Sequence, residues 1–227
     1  MTVGTYIPPH FHQDDPSILV EIVESHPFAA LTLCDEEGQM RCVHLPFLRF
    51  GDPRHPASWR FESHLARANP VAEALAEGRE AHALLVFTGP DAYVSPRWYV
   101  DARETSVPTW NYQAVHVRGR VRLAGEGDPG WLDRHLHALI DTHQARIADA
   151  PFDWTHLPEA QIEEMKRAIV GVEVFAEQVE CIEKLSQNKT ADDREGVIDG
   201  LFARGDEECR AMAMLMSERE SDRSSRG

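Results

Sequence analysis

Several signatures of common protein classes are missing from this sequence of 227 residues, and each absence excludes a class. No stretch approaches the roughly 18 to 20 apolar residues of a membrane-spanning helix. The N-terminal region lacks the basic segment and apolar core of a signal peptide. We therefore expect no membrane insertion and a cytoplasmic location. Glycine-rich nucleotide loops and the His-Glu-x-x-His zinc motif are also missing, which argues against Rossmann, P-loop and zinc-protease chemistry.

Metal-binding patterns are weak as well. The chain has 4 cysteines and no Cys-x-x-Cys pair, so we expect reduced thiols and no zinc knuckle. Histidine is plentiful at 12 residues, but His135 and His137 are two apart and cannot share a helix face. His10 and His12 have the same spacing. We predict no metal site.

Positive charge is scarce: 23 Lys and Arg stand against 38 Asp and Glu, a formal net charge of -15. A nucleic-acid partner requires a basic footprint, so direct binding to DNA or RNA is disfavoured. Any phosphate-bearing ligand must meet a local cluster of cations, because the field of the whole chain repels it.

The hydrophobic pattern predicts one domain over residues 1–216 and a flexible polar tail over 217–227. Strand-like runs occur at residues 28–34, 40–48, 57–61, 80–88, 91–95, 110–123 and 169–182, and helices are spaced among them. Gly89-Pro90 is typical of a turn between two of these strands. Many short strands without regular βαβ alternation favour a mainly β fold, an antiparallel barrel with helices at its ends and a helical C-terminus.

The segment Val-Pro-Thr-Trp-Asn-Tyr at residues 107–112 places two aromatic side chains and an amide behind a proline-fixed bend. Such a strand start could clamp a flat, partly polar ligand. From these residues alone, the favoured alternative is an ordinary barrel strand with Trp110 in the core.

Two cationic clusters are candidate anion sites. His64, Arg67 and Asn69 lie at a predicted strand-to-helix transition, with Arg60 just upstream. The alternative is that Asn69 only caps the helix and Arg67 is a solvated surface residue. The second cluster is Lys-Leu-Ser-Gln-Asn-Lys at residues 184–189, which could equally be a polar loop.

Taken together, the motifs give a resemblance to a known family. They are Tyr-Ile-Pro-Pro-His-Phe at 6–11, His-Pro-Phe-Ala at 26–29, His-Leu-Pro-Phe at 44–47, His-Leu-Ala-Arg-Ala-Asn-Pro at 64–70, Phe87 with Gly89-Pro90, Tyr93 with Ser95-Pro96 and Trp98-Tyr99, and the segments 107–112 and 184–189. In this order the chain resembles the PaiB family of FMN-binding split-barrel proteins, usually described as negative transcriptional regulators. The chain departs from the family pattern at Val71-Ala72, where an aromatic is expected, and at 100–106, where a lysine is expected.

The resemblance implies a split β-barrel homodimer with FMN near the subunit interface. The resemblance implies flavin contacts without assigning each one. From the chemistry of the side chains we assign the flavin role to His44, Leu45, Pro46, Trp110 and Asn111, and the phosphate or ribityl role to Arg60, His64, Arg67, Asn69 and Lys189. The resemblance also implies an indirect or flavin-linked role in transcription. A flavin-dependent oxidoreductase using NAD(P)H and a haem-handling protein are the alternatives. No catalytic residue can be named, because flavin chemistry belongs largely to the cofactor.

Overall fold

A computed structural model describes residues 4–76, 78–147 and 152–226. Eight strands form one sheet, in which β3, β2, β6, β7, β8, β5 and β4 follow one another and β1 pairs with β8. The strands are β1 (His12–Gln13), β2 (Phe28–Cys34), β3 (Met40–Pro46), β4 (Leu48–Phe50), β5 (Arg60–Ala66), β6 (Glu80–Val94), β7 (Thr109–Leu123) and β8 (Ile169–Lys184). The β2–β3, β2–β6, β4–β5, β5–β8 and β1–β8 pairs are antiparallel. The predicted antiparallel split barrel with peripheral helices is confirmed.

Six α-helices accompany the sheet in the described part of the chain. They are α1 (Pro16–Ser25), α2 (Pro70–Ala74), α3 (Trp131–Gln144), α4 (Glu159–Arg167), α5 (Ala191–Arg204) and α6 (Glu207–Arg226). The predicted caps of α2 and α5 are confirmed, since the Asn69 side chain accepts from the backbone N–H of Val71 and the Thr190 side chain accepts from that of Asp193. Residues 217–226, for which the sequence predicts a frayed tail, continue α6. None of the described helices is long and apolar enough to cross a membrane.

Two compact units divide the chain, and β6, β7 and β8 run through both. Unit 1 comprises residues 1–22, 88–115 and 180–227. Its core packs α5 and α6 against the end of β6, with Leu201 and Met212 fully buried. Trp98 lies on α5 where Gly200 leaves room, because a Cβ there would come within 2.4 Å of the indole ring.

Unit 2 comprises residues 23–87 and 116–179 and contains the barrel core. Alternate residues of β2 are buried, as expected for a strand with one face on a core. Phe61 and Phe87 pack with ring centroids 5.2 Å apart, and Trp59 packs edge-on against Phe61. Each of these side chains is almost wholly buried, which contributes roughly 1.5–3 kcal/mol per residue.

Two strand predictions are wrong. The predicted turn at Gly89-Pro90 does not form, and β6 is one continuous strand from Glu80 to Val94. Gly89 instead allows a close approach, since a Cβ there would lie 2.4 Å from Oε1 of Gln113. The strand predicted at 57–61 begins at Arg60 and extends to Ala66, so His64 lies within a strand paired with Gly171.

Candidate functional site

The 107–112 segment contains the first residues of β7, and strand alternation separates its two candidate ligand residues. Asn111 is fully buried, whereas 53% of Trp110 is exposed. Successive side chains of a strand point to opposite faces, so Trp110 and Asn111 cannot line one wall. The interpretation that places Trp110 in the core is therefore wrong. The indole ring pairs edge-on with exposed Tyr93 of β6, with centroids 6.2 Å apart.

Asn111 joins this segment to the 184–189 segment. Its side-chain amide donates to Oγ of Ser186 at 3.1 Å and to Sδ of Met216 at 3.4 Å. Ser186 has a φ of 62°, in the left-handed region that non-glycine residues rarely adopt. Backbone strain of this kind persists where surrounding contacts hold it, and it is common at ligand sites.

A cavity of about 330 Å³ lies between these segments in unit 1, and we call it the lysine cavity. Its lining includes Phe11, Tyr99, Thr109, Asn111, Lys184 and Lys189. The Lys184 ammonium donates to Oγ1 of Thr109 at 2.5 Å, and the Lys189 ammonium donates to Oγ of Ser106 at 2.7 Å. Four of the motifs behind the family resemblance, at 6–11, 93–99, 107–112 and 184–189, thus meet at one cavity.

In unit 2, the predicted flavin residues His44, Leu45 and Pro46 end β3. The His44 ring is exposed and stacks on exposed Phe28, with centroids 6.1 Å apart. Leu45 is buried, and the Pro46 carbonyl accepts from Oγ of Ser63 at 2.6 Å. This carbonyl is therefore already hydrogen-bonded, and the exposed rings of His44 and Phe28 are the surface that β3 and β2 offer to a flat ligand.

Arg60 lies in a balanced ion-pair network. It contacts Glu62 at 2.6 Å and Glu173 at 3.8 Å, and Arg122 also contacts Glu173 at 3.0 Å. Glu62 and Glu173 are directly opposite each other on β5 and β8, and both are buried. The two arginines offset this cross-strand pair of like charges. Arg60 thus has little free charge for a phosphate.

His64 is held by His135, which the sequence analysis considered only as half of a metal pair with His137. Nδ1 of His64 and Nε2 of His135 lie 3.1 Å apart, and His135 stacks on Trp131 at a centroid distance of 4.9 Å. Trp131 is seated over Gly171, where a Cβ would lie 2.1 Å from the indole. Burial and the neighbouring His135 lower the pKa of His64, so its imidazole is neutral near pH 7. A neutral His64 can donate or accept hydrogen bonds but brings no positive charge to a phosphate.

Arg67 and Asn69 follow β5. The Arg67 Nε donates to the carbonyl of Arg167 at 2.9 Å. Among the described residues Arg67 forms no ion pair, so its two terminal nitrogens are free to meet an anion. The Asn69 side-chain oxygen is used by the cap of α2. Of the predicted phosphate residues in unit 2, Arg67 is the available cation.

Sequence reasoning assigned no role at these sites to four residues that organise them: Glu62, Glu173, His135 and Lys184. Lys184 begins the 184–189 segment, but the sequence analysis did not assign it a role. The other three line a cavity of about 620 Å³ in unit 2 together with arginines. No local motif marks them, since strand pairing and the seat of Trp131 bring them together. No group of three or more potential metal ligands occurs within 4–76, 78–147 and 152–226.

Known proteins resemble this chain in sequence and in fold. A family model described as "Putative FMN-binding domain" matches residues 5–178. The "Protease synthase and sporulation protein PAI 2" of Bacillus subtilis is 29% identical over 94% of this chain and 97% of its own length. An uncharacterised protein of Aspergillus fumigatus is 28% identical over 89% of this chain and 92% of its own length.

Solved structures share the fold at lower identity. The flavocytochrome Anf3 from Azotobacter vinelandii matches with a TM-score of 0.56 and 19% identity, over 85% of this chain and 78% of that one. The FAD and heme binding protein from Mycobacterium smegmatis matches with a TM-score of 0.52 and 17% identity, over 86% and 80% of the two chains. At these identities the similarity concerns the fold alone.

Proposed function

Because the chain belongs to the FMN-binding split-barrel family that includes PAI 2 of Bacillus subtilis, with FMN as its cofactor, we propose that it is a flavoprotein acting on small molecules. Any influence on transcription is indirect, through the state of the flavin. When bound, FMN supplies one- or two-electron transfer. The chain supplies the binding surface, the orientation and the local charge.

The observation that carries this proposal is the exposed aromatic pair Tyr93–Trp110. Large apolar side chains on a strand face are unfavourable in water and mark surfaces that meet a ligand or partner. A flat flavin ring fits such a surface, because offset and edge-on aromatic contacts are favourable beyond the area they bury. Within unit 1 we therefore assign the flavin ring to Trp110.

Taken by itself, unit 2 offers donors with the chemistry to hold a phosphate and ribityl hydroxyls. We assign the phosphate to the free terminal nitrogens of Arg67, since a guanidinium can form two parallel hydrogen bonds to phosphate oxygens. We assign the ribityl hydroxyls to neutral His64 and to Asn69. As a separate proposal within unit 2, we keep residues 44–46 of β3 as a predicted flavin contact. These assignments and that of Trp110 are independent and are tested separately.

Three predicted contacts are assigned differently. Arg60 is neutralised by Glu62 and Glu173, so we give it a structural role in supporting β5. Asn111 and Lys189 lie in the lysine cavity, on the face of β7 opposite to Trp110. We therefore do not include them among the FMN contacts.

An indirect regulatory role is favoured over direct DNA binding by the distribution of charge. The chain carries a net charge of -15. Three arginines line the 620 Å³ cavity of unit 2, but four carboxylates line it with them. Such a surface lacks the unbalanced positive charge with which proteins displace counterions from DNA. A mobility shift at physiological salt would contradict the indirect role.

A homodimer and a cytoplasmic location belong to the same proposal. A second copy would cover exposed apolar side chains such as Val107 and Trp110, and light scattering on the purified chain measures this directly. The four cysteines are free thiols in the structure, which suits a reducing compartment.

The second candidate function is a flavin-dependent oxidoreductase using NAD(P)H. The lysine cavity favours it, because a regulator that only senses flavin needs no second ligand site. Oxidation of NADH or NADPH, followed by absorbance with FMN present, tests this function. The haem-handling alternative stays a prediction from the sequence. The structure does not favour it at the buried His135, because one ring nitrogen of that residue is already directed to His64.

The test of FMN binding compares FMN with riboflavin, which lacks the phosphate. Flavin fluorescence is titrated with wild type, Arg67→Met and Arg54→Met. Arg54 is an exposed control that pairs with Asp52. Loss of a charge-assisted phosphate contact should weaken FMN binding roughly 10- to 100-fold in Arg67→Met and leave riboflavin unchanged. Equal effects in both variants, or on both flavins, would contradict the assignment of Arg67.

A further inference from the structure

Lysine is rare in this chain: arginine supplies most of the positive charge, and the only lysines are Lys166, Lys184 and Lys189. Lys166 is paired with carboxylates in the usual way, contacting Asp133 and, at 2.8 Å, Glu163. Neither Lys184 nor Lys189 forms an ion pair with a carboxylate anywhere in the described ranges. In a chain with a net charge of -15, two neighbouring cations without acidic partners require an explanation.

Both ammonium groups face the lysine cavity, whose lining contains hydroxyl, amide and aromatic side chains. None of the residues that line the cavity is acidic. Each ammonium has three N–H donors. Lys184 uses one on Thr109, and Lys189 uses one on Ser106. Several N–H donors of the two lysines are thus left for an anion in this cavity.

The lysines are held in place by groups that do not cancel their charge. The Lys189 ammonium lies 4.6 Å from the centre of the Tyr99 ring, and that of Lys184 lies 5.8 Å from the centre of the Phe11 ring. The carboxylate of Asp193 interacts electrostatically with Lys189 but forms no ion pair with it, and it accepts from the backbone N–H groups of Val100, Asp101 and Ala102. Burial lowers the pKa of Lys184, which shows that its charge is incompletely solvated. An anion would offset this cost.

We propose that the lysine cavity binds a small organic anion, a carboxylate or phosphate on an aromatic or apolar body, as a second ligand beside FMN. Lys184 and Lys189 bind the anionic group, and Phe11 and Tyr99 contact the apolar body. Asn111 and Ser186 hydrogen-bond each other and form part of the cavity wall. The inference rests on the proposed function in one respect, because the anion is a second ligand where FMN is the first.

The geometry favours a ligand distinct from FMN. Thr109 and Asn111 face the cavity, whereas Trp110, to which we assign the flavin ring, lies on the opposite face of β7. The volume of about 330 Å³ is at the lower end of the range for small-molecule sites, roughly 300–1,000 Å³. It suits a single-ring compound better than a three-ring flavin with a ribityl phosphate. Arg67 offers a separate cation for the FMN phosphate.

The experiment is calorimetric titration of the full chain, with and without FMN, using phenyl phosphate, benzoate and the neutral analogue benzyl alcohol. The variants are Lys184→Met, Lys189→Met and, as a matched control, Lys166→Met. Thermal unfolding confirms that each variant is folded. We expect saturable binding of phenyl phosphate or benzoate but not of benzyl alcohol. Either cavity substitution should weaken that binding roughly 10- to 100-fold, and Lys166→Met should leave it unchanged.

Three results would overturn the inference. The first is no saturable binding of either anion to wild type, and the second is an equal loss in Lys166→Met. The third is competition between FMN and the anion, together with a loss of FMN but not riboflavin affinity in the cavity variants, since the cavity would then hold the FMN phosphate. Absence of flavin binding alone would refute the proposed function, whereas anion binding that depends on both lysines would still support the anion site.

Discussion

Replacement of Trp110 by alanine tests whether its indole ring contacts a ligand or packs in the core. A fully buried tryptophan changed to alanine costs about 3–5 kcal/mol of unfolding free energy. Trp110 is 53% exposed, so about half of that stabilisation is at stake, roughly 1.5–2.5 kcal/mol. Trp59 is the matched control, because it is 1% exposed and its indole N–H donates to the Asp52 carbonyl at 2.9 Å. Trp59→Ala should lower the free energy of unfolding by at least about 3–5 kcal/mol.

Flavin affinity provides the second measurement on the same variants. Loss of one stacking contact is worth about 1–3 kcal/mol, which is roughly a 5- to 150-fold weaker binding of FMN. Trp110→Phe keeps a ring and should retain most of the affinity. Urea unfolding gives the stability and fluorescence titration gives the affinity. The reasoning is refuted if Trp110→Ala is as destabilising as Trp59→Ala and, once stabilised, binds FMN with wild-type affinity.

Three further predictions concern the supports of the sites. Gly171→Ala should destabilise the chain by about 1–3 kcal/mol in chemical unfolding, because the new Cβ would lie 2.1 Å from the buried Trp131 ring. An unchanged unfolding midpoint would contradict the close packing of Trp131, the first residue of α3, on Gly171. Asp193→Ala should cost about 2–4 kcal/mol by the same measurement, since three backbone N–H groups lose their charged acceptor, and Asp193→Asn should retain part of it. The pKa of His64 is lower in the folded chain than in the unfolded chain, so as the pH falls the unfolded chain takes up a proton at His64 before the folded chain does. Stability should therefore fall as the pH decreases below about 6.5. His64→Gln should flatten that dependence in thermal scans.

Much of the fold could be predicted because its signals are local. Alternation over β2 and β7 and the caps at Asn69 and Thr190 are properties of a few neighbouring residues. The error at Gly89 has the opposite origin. A glycine before a proline is typical of a turn, but here the need for glycine comes from the side chain of Gln113, which is distant in sequence and close in space.

The candidate site was predictable only in part for the same reason. Motifs located the 107–112 and 184–189 segments, and the structure joins them through Asn111 and Ser186. Periodicity alone could not tell which face of β7 meets the core, so Trp110 was expected to be buried. His135 comes close to His64 only because α3 packs against β8, and nothing near either residue in the sequence indicates that contact.

Flavin binding by the purified chain tests the central claim most directly. The chain should be titrated with FMN and its visible absorbance and flavin fluorescence followed to saturation. The proposed function predicts a perturbed flavin spectrum, one FMN bound per chain, and tighter binding of FMN than of riboflavin. An unperturbed flavin spectrum at saturating protein, with no FMN retained after gel filtration, would contradict it.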